Sequence, residues 1–236
     1  MAAEPDVLIC AADGVLYGDL GYGSRIEERL SAAGLRCGRY DLTSPRPGPP
    51  PPARAYVFTG GETAVGSGAG WMRSAIATAR RLVMDAERED YTVTGICLGS
   101  QIIAEALRPG SVAVAPAIEV GLITVNRPHD SRAQQVVPSF HYDSITPAIR
   151  SVTGVRVEWR NAHTAVQAFS YGRHVLGCQF HPDLSAADVH HIIDCHGDVI
   201  TRWGGDPAAA HRSVDRYAGK LRADLFDRLV TERVTG

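Results

Sequence analysis

The sequence predicts an α/β fold: a single doubly wound, mostly parallel sheet with helices on both faces and some antiparallel strands in the second half. Three observations predict it. The chain has 236 residues, 44% hydrophobic and 21% charged, which suits one globular domain, so we assign residues 1–236 to a single domain. Up to residue 116, short apolar runs alternate with amphipathic helical patterns. Beyond that point, strand-like segments follow one another directly.

The first half consists of predicted strand–helix units. Residues 7–11 form a short apolar run closed by Asp13 and Gly14, as expected for a buried first strand, and Ser24 is the predicted cap of the helix that follows. The same patterns predict helices over residues 25–33, 71–89 and 100–107, and strands over residues 35–42, 55–58 and 91–96. This order implies parallel strands whose carboxyl ends meet at one edge of the sheet.

The second half carries a different pattern. Five strand-like stretches cover residues 120–125, 134–140, 154–159, 165–171 and 174–180, and two helices are predicted over residues 186–203 and 207–230.

Within the first half, residues 45–52 contain six prolines and cannot form a helix or a central strand. We interpret this segment as a stiff surface connection, with a ligand for a proline-recognising domain as the alternative.

Composition excludes several classes of function. A formal net charge of −2 without a basic stripe argues against a nucleic-acid partner. No apolar run approaches the roughly 20 residues of a membrane span, and the first residues lack the basic start of a signal peptide. Five irregularly spaced cysteines do not make a disulfide pattern, so we expect a cytoplasmic protein with no membrane partner. We predict neither a metal nor a cofactor.

Cys97 has the strongest chemical signal in the chain. It lies between Gly95 and Gly99 in Thr-Gly-Ile-Cys-Leu-Gly-Ser-Gln, after a predicted strand and before a predicted helix. A strand-to-helix elbow pushes its central side chain out of the sheet and needs small neighbours on both sides. A helix N-terminus also favours a thiolate. The alternative is a cysteine that packs in the core as a small hydrophobic residue.

A thiol nucleophile needs a base, and His181 is the best placed histidine. It follows a predicted strand and precedes Pro182 and Asp183, so it lies where parallel sheets carry their sites. The Asp183 carboxylate could orient the imidazole, although a histidine in a polar turn is the alternative. Gly60 and Gly61 end another predicted strand and could offer an oxyanion hole together with the N–H of Leu98.

Two further patterns have simpler explanations. The glycine-rich residues 66–70 are not followed by the lysine of a phosphate loop. Four candidate metal ligands share one predicted helix: His190, His191, Cys195 and His196. Zinc sites usually draw their ligands from separate segments, so an amphipathic helix is the better interpretation.

Several motifs together resemble the class I (triad-type) glutamine amidotransferases. The elbow resembles the family's Gly-x-Cys-x-Gly-x-Gln motif, and Gln-Phe-His-Pro-Asp at residues 179–183 resembles its Gln-Phe-His-Pro-Glu motif. Phe-Thr-Gly-Gly at residues 58–61 resembles the oxyanion strand. Three more segments are similar to the stand-alone branch near the amidotransferase domain of GMP synthase: residues 119–121, 140–143 and 167–172. The matches follow the family order from about residue 55 to 185.

The resemblance implies a glutaminase of flavodoxin-like fold that uses no cofactor. Cys97 would be the nucleophile, His181 the acid and base, and Asp183 the third triad member. Gly61 and Leu98 would form the oxyanion hole. The glutamine would be bound by residues Gly60, Gln101, His141 and Tyr142, the last two through their backbone.

The resemblance leaves the reaction partner open. The ammonia acceptor would belong to a synthetase on another chain. The alternatives are a free-standing γ-glutamyl hydrolase and a catalytically silent regulatory subunit. The sequence departs from the family pattern at three positions: Asp183 replaces Glu, Glu62 replaces Pro, and Tyr142 replaces Gly.

Overall fold

The computed structural model describes residues 4–45 and 47–235, so the first three residues, one residue of the proline-rich segment and the last residue lie outside it. Its central sheet has seven strands in the order β4-β1-β5-β6-β11-β10-β9. The strands are β1 Val7–Ala11, β2 Val15–Tyr17, β3 Leu20–Gly21, β4 Cys37–Asp41, β5 Ala55–Phe58, β6 Thr92–Ile96, β7 Val112–Arg127, β8 Asp130–Ile145, β9 Val155–Trp159, β10 Ala168–Tyr171 and β11 Val175–Cys178.

Strand direction follows the sequence prediction. The pairs β4–β1, β1–β5, β5–β6 and β6–β11 are parallel, whereas β11–β10 and β10–β9 are antiparallel. Two hairpins stand outside this sheet: a short one formed by β2 and β3, and a long one formed by β7 and β8. The predicted class, a mostly parallel sheet with antiparallel strands in the second half, is confirmed.

Helices cover both faces of the sheet. They are α1 Ser24–Ala32, α2 Gly70–Asp85, α3 Leu98–Leu107, α4 Ala186–Cys195, α5 Gly197–Arg202, α6 Pro207–Tyr217 and α7 Glu232–Thr235, with a π-helical turn at Asp227–Thr231 before α7. Side chains of β1 alternate between the faces, as a strand requires. Leu8 packs with α2 and α3, whereas Ile9 packs with α1 and the C-terminal helical segment. No helix in the described ranges is long and apolar enough to cross a membrane.

Several helix boundaries differ from the prediction. Ser24 is the first helical residue of α1 and makes no cap hydrogen bond, because Gly23 occupies the cap position. Helix α2 ends at Asp85, and α3 already begins at Leu98. The predicted helix over residues 186–203 breaks at His196, whose ring nitrogen bonds the carbonyl of Leu16 at 2.7 Å.

The predicted helix over residues 207–230 is also wrong. Helix α6 ends at Tyr217, and one 3₁₀ turn, Ala218–Lys220, follows it. Leu221 then forms a bridge with Val136 of β8, so pairing with the hairpin competes with helix continuation there.

Two glycines allow α3 to lie directly on the sheet. A Cβ atom at Gly99 would lie 2.3 Å from the carbonyl oxygen of Phe58 in β5. A Cβ atom at Gly95 would lie 2.6 Å from the carbonyl carbon and oxygen of Gly99. Both contacts are with backbone, which cannot move aside as a flexible side chain can. The close crossing of strand and helix therefore requires glycine at both positions.

We expect Gly99→Ala to destabilise the protein by about 1–3 kcal/mol, because steric overlap with the backbone outweighs the gain of about 1 kcal/mol in helix propensity. Gly70→Ala is the matched control, since that helical position has open space around it. Urea unfolding of both variants measures the difference. Equal stabilities of the two variants would contradict the packing argument.

Candidate active site

A cleft of about 260 Å³ opens at the carboxyl ends of the parallel strands. Its walls come from the loop after β5, the start of α3, strand β8 and helix α5. Six of the predicted site residues line it: Gly61, Cys97, Leu98, Gln101, His141 and Tyr142. The size suits a ligand of amino-acid dimensions.

Cys97 occupies a strained backbone conformation. Its φ of 51° and ψ of −111° lie outside the regions that L-residues commonly adopt. It is the cap residue of α3, and its N–H donates to the carbonyl of Cys178 in the neighbouring strand at 2.8 Å. Its Sγ lies 3.7 Å from the carbonyl oxygen of Phe140. The conformation presents the thiol to the cleft, as the elbow pattern predicted.

His181 and Asp183 are almost completely buried behind this thiol. The two atoms that face each other, His181 Nδ1 and Asp183 Oδ1, are 3.4 Å apart, an ion-pair distance without the alignment of a hydrogen bond. The loop is anchored at both ends: His181 N–H donates to Pro138 O at 2.9 Å, and Arg29 Nε donates to Asp183 O at 2.9 Å.

The charges around His181 favour its protonated form. Burial lowers the pKa of the imidazole, but the adjacent Cys97 and Asp183 side chains outweigh burial and raise that pKa to about 10. In contrast, burial raises the pKa of the Cys10 and Cys178 thiols, which pack in the core. Among the buried thiols of the described chain, Cys97 is the one beside an imidazole.

The two glycines after β5 have different surroundings. A Cβ atom at Gly60 would lie 2.9 Å from His181 Cε1 and 2.5 Å from Tyr22 Cδ1, so glycine makes room for the imidazole. A Cβ atom at Gly61 would lie 2.6 Å from Leu98 Cδ2, which places the two predicted oxyanion residues side by side. Gly60 thus borders the histidine, whereas Gly61 borders the cleft.

Two departures from the family pattern are in contact. The Tyr142 hydroxyl donates to the carbonyl of Glu62 at 2.7 Å, and the Glu62 side chain accepts from the N–H of Val15 at 2.9 Å. Tyr142 also stacks on Trp203, with ring centroids 4.7 Å apart and planes 7° apart. The tyrosine therefore connects the loop after β5 with the end of α5, across the mouth of the cleft.

His141 has a side chain that faces inward. Its Nε2 lies 3.1 Å from Glu119 Oε2, and its Nδ1 lies 3.0 Å from the carbonyl oxygen of Asp143. Glu119 also accepts hydrogen bonds from Asn161 at 2.5 Å and from the side chain of Gln167. Burial raises the pKa of Glu119, but the bonds from His141 and Asn161 keep it below its usual value. Glu119 and Gln167, which lie in two of the family-like motifs, thus stabilise the cleft wall through hydrogen bonds.

Gln101 of helix α3 stabilises the same wall of the cleft. Its Nε2 donates to the carbonyl oxygen of Asp143 at 3.1 Å, and Gln179 Nε2 approaches the same oxygen at 3.3 Å. The side chain therefore lines the cleft while it fixes β8. This explains why the elbow motif extends to a glutamine four residues beyond the cysteine.

Ten further residues line the cleft without having been predicted as site residues, among them Tyr22, His196, Arg202 and Trp203. These four come from the segment before α1 and from around α5, which the sequence indicated only as parts of helices or turns. The predicted cluster of His190, His191, Cys195 and His196 does not form one group in the structure. His190 pairs with His211 of α6 at 2.7 Å, and His196 faces the cleft. Within the described ranges, no group of three or more His, Cys, Asp or Glu side chains is arranged to hold a metal ion.

The family model for class-I glutamine amidotransferases matches residues 55–194. Among curated proteins, none matches the chain significantly.

Three solved structures show the same fold. A glutamine amidotransferase from Thermotoga maritima superposes with a TM-score of 0.75 at 18% identity, covering 99% of this chain and 100% of that one. One from Methylobacillus flagellatus gives 0.65 at 20% identity, covering 97% and 96%. A candidate GMP synthase subunit from Thermoplasma acidophilum gives 0.58 at 18% identity, covering 92% and 100%.

The matched region spans more than half of the chain and includes the elbow, the cleft wall formed by β8 and the histidine loop. It thus contains Cys97, His181, Asp183 and most of the cleft lining. The chain belongs to the class-I glutamine amidotransferase family.

Proposed function

We propose that this chain hydrolyses the side-chain amide of glutamine through a Cys97–His181–Asp183 triad. The observation that carries the proposal is the strained Cys97 on the wall of the cleft, with a buried imidazole beside it whose pKa is raised to about 10. A thiol in this setting can exchange its proton with the imidazole and act as a nucleophile.

The reaction has two halves. The Cys97 sulfur attacks the amide carbon, and His181 gives its proton to the departing nitrogen, so ammonia leaves and a γ-glutamyl thioester remains. A water molecule then gives a proton to His181 and attacks the thioester. The intermediate then collapses, so glutamate leaves and the Cys97 sulfur is freed beside the protonated His181. One imidazole serves as acid in the first half and as base in the second.

Asp183 and the two backbone donors support this chemistry. Asp183 orients His181 and stabilises its charged form, at 3.4 Å in a dry environment where attraction between charges is weakly screened. The N–H groups of Gly61 and Leu98 would hold the oxyanion of the tetrahedral intermediate. Their side-by-side position on the cleft wall supports that role.

The glutamine would lie along β8. Gln101 lines one side, and the backbone around His141 and Tyr142 offers hydrogen bonds to the amino-acid end. Gly60 contributes by leaving room for the imidazole. We assign the ammonia acceptor to a synthetase on another chain, in keeping with the structural neighbour described as a candidate GMP synthase subunit.

We expect 6-diazo-5-oxo-norleucine to label Cys97 alone. This glutamine-like electrophile must be oriented by the cleft before it reacts, and Cys10, Cys37, Cys178 and Cys195 lie outside the cleft. Peptide mapping after labelling is the measurement. Exposed Cys195 provides the control, because iodoacetamide should modify it whereas the glutamine analogue should not. Labelling that survives Cys97→Ala would remove the nucleophile assignment.

We expect Asp183→Ala to lower kcat by roughly 10- to 1,000-fold with a smaller change in KM, because the lost carboxylate orients the base and does not contact the substrate. His181→Ala and Cys97→Ala should cost more. Steady-state glutaminase assays measure the three variants. An unchanged kcat in Asp183→Ala would mean that another group orients His181.

The His181 imidazole should stay protonated through neutral pH and lose its proton only near pH 10. In Cys97→Ala we expect a lower pKa, because the thiolate that favours the cation is gone while burial still opposes charge. NMR titration of the histidine ring measures the shift, with Cys195→Ala as control. An unchanged His181 pKa in Cys97→Ala would show that Cys97 does not influence the charge of His181.

A further inference from the structure

A second groove, of about 890 Å³, lies between the tip of the β7–β8 hairpin and β9, the last strand of the central sheet. Asp130 lines this groove at the start of β8, whereas Phe140 lines the cleft further along the same strand. Ten residues of strand correspond to about 33 Å, so the groove is remote from the cleft. Its ligand is therefore a different molecule from the glutamine.

The groove is strongly basic. Its lining includes four arginines, which come from the hairpin tip, from the 3₁₀ turn Pro147–Ser151 and from the region of β9: Arg127, Arg150, Arg156 and Arg160. The two carboxylates of the lining, Asp130 and Glu158, offset half of this charge. With His129 neutral, the lining carries a net charge of +2, in a chain whose formal net charge is −2.

Two of the arginines have no carboxylate to neutralise them. Glu158 is already engaged, because it lies 3.5 Å from the Arg156 guanidinium and accepts a hydrogen bond from Ser170 at 2.6 Å. Among the residues that the structure describes, the side chains of Arg150 and Arg160 form no ion pair and no hydrogen bond. Their guanidinium groups are therefore free to bind a ligand.

The fold itself brings positive charges together here. Asn126 and Arg160 exchange backbone hydrogen bonds of 2.8 and 3.0 Å, which join the hairpin to the end of β9. Next to this bridge, the Arg127 guanidinium lies over the Trp159 ring, 5.3 Å from its centroid. Arg127 and Arg160 thus reach the groove from adjacent positions of two joined segments. Like charges held close together repel one another, so their accumulation in one concave groove indicates a site for an anion.

The chemistry of the groove favours a compact anion with several phosphate groups. Arginine binds phosphate through two parallel N–H···O bonds, and several guanidinium groups around one groove match several adjacent phosphates. Small-molecule pockets usually measure about 300–1,000 Å³, which includes the volume of this groove. A nucleic acid would need a basic surface that continues along the molecule, and the chain as a whole is slightly acidic.

We propose that the groove between the hairpin tip and β9 binds the oligophosphate group of a small molecule, in a site that does not depend on the proposed reaction. Arg150 and Arg160 bind the phosphate oxygens, and Arg127 adds positive charge from the hairpin. The apolar side chains of Val155 and Val157 belong to the same lining and offer contacts to the uncharged part of an organic phosphate.

Isothermal titration calorimetry of the full chain in about 0.1 M salt tests the proposal, with sodium tripolyphosphate as the probe. We expect Arg150→Ala/Arg160→Ala to bind tripolyphosphate roughly 5- to 30-fold more weakly, because two charge-assisted contacts are lost. The single variants should each bind it about 2- to 5-fold more weakly, so the test does not depend on the folding of the double variant.

Arg36→Ala/Arg39→Ala is the matched control. It removes the same charge at β4, on the opposite edge of the sheet from β9, where the two arginines form exposed ion pairs. The control should change the affinity less than about 2-fold, because salt screens distant charges.

The outcomes are distinct. No binding of tripolyphosphate at about 1 mM, or equal losses in the two double variants, would overturn the proposal. Tighter binding of oligothymidylate or of oligoglutamate than of tripolyphosphate would also overturn it, in favour of a nucleic acid or an acidic protein segment. Titration with ATP identifies the source of the phosphates within the proposal. Tighter binding of ATP than of tripolyphosphate indicates a nucleotide, and binding no tighter indicates an inorganic polyphosphate.

Discussion

The site depends on one steric constraint, the direct contact of helix α3 with strands β5 and β6. Gly99 lies so close to the Phe58 carbonyl that a methyl group would overlap it, and a methyl group at Gly95 would overlap the backbone of Gly99. The chain must therefore turn within one residue, and Cys97 takes the positive φ that this turn requires. The strain is borne by the residue whose thiol faces the cleft. Sheet packing and site geometry are thus consequences of the same contact.

A second set of interactions positions the cleft wall that strand β8 forms, on the other side of the cleft from Cys97. The β7–β8 hairpin lies outside the central sheet, and one antiparallel bridge joins its Asn126 to Arg160, the residue after β9. Buried polar groups add contacts to the rest of the fold. Glu119 accepts a hydrogen bond from Gln167, and Gln101 and Gln179 reach the carbonyl of Asp143. These bonds favour one arrangement of the wall, because each lost bond would leave a further unpaired polar group.

The sequence was informative where local chemistry determines structure. The strands β1 and β5 were predicted with their observed bounds, and the motifs around Cys97 and His181 predicted residues that lie together at one edge of the sheet. Helix breaks at His196 and Tyr217 were not predictable, because they arise from contacts with Leu16 and Val136, distant in sequence. The stacking of Trp203 on Tyr142 was not predicted for the same reason, because the two residues lie on different elements.

Asp183 shows how a shorter side chain can still serve an ion pair. The 3.4 Å separation from His181 is longer than the usual distance of about 2.7–2.9 Å in a charge-assisted hydrogen bond. Both side chains are only 1% exposed, however, and attraction between charges declines slowly with distance when water is excluded. Arg29 holds the Asp183 carbonyl, and the Pro138 carbonyl holds the His181 N–H, so the two residues cannot drift apart. A missing methylene thus lengthens the direct contact, but Asp183 still adds to the raised pKa of His181, to which the neighbouring Cys97 contributes most.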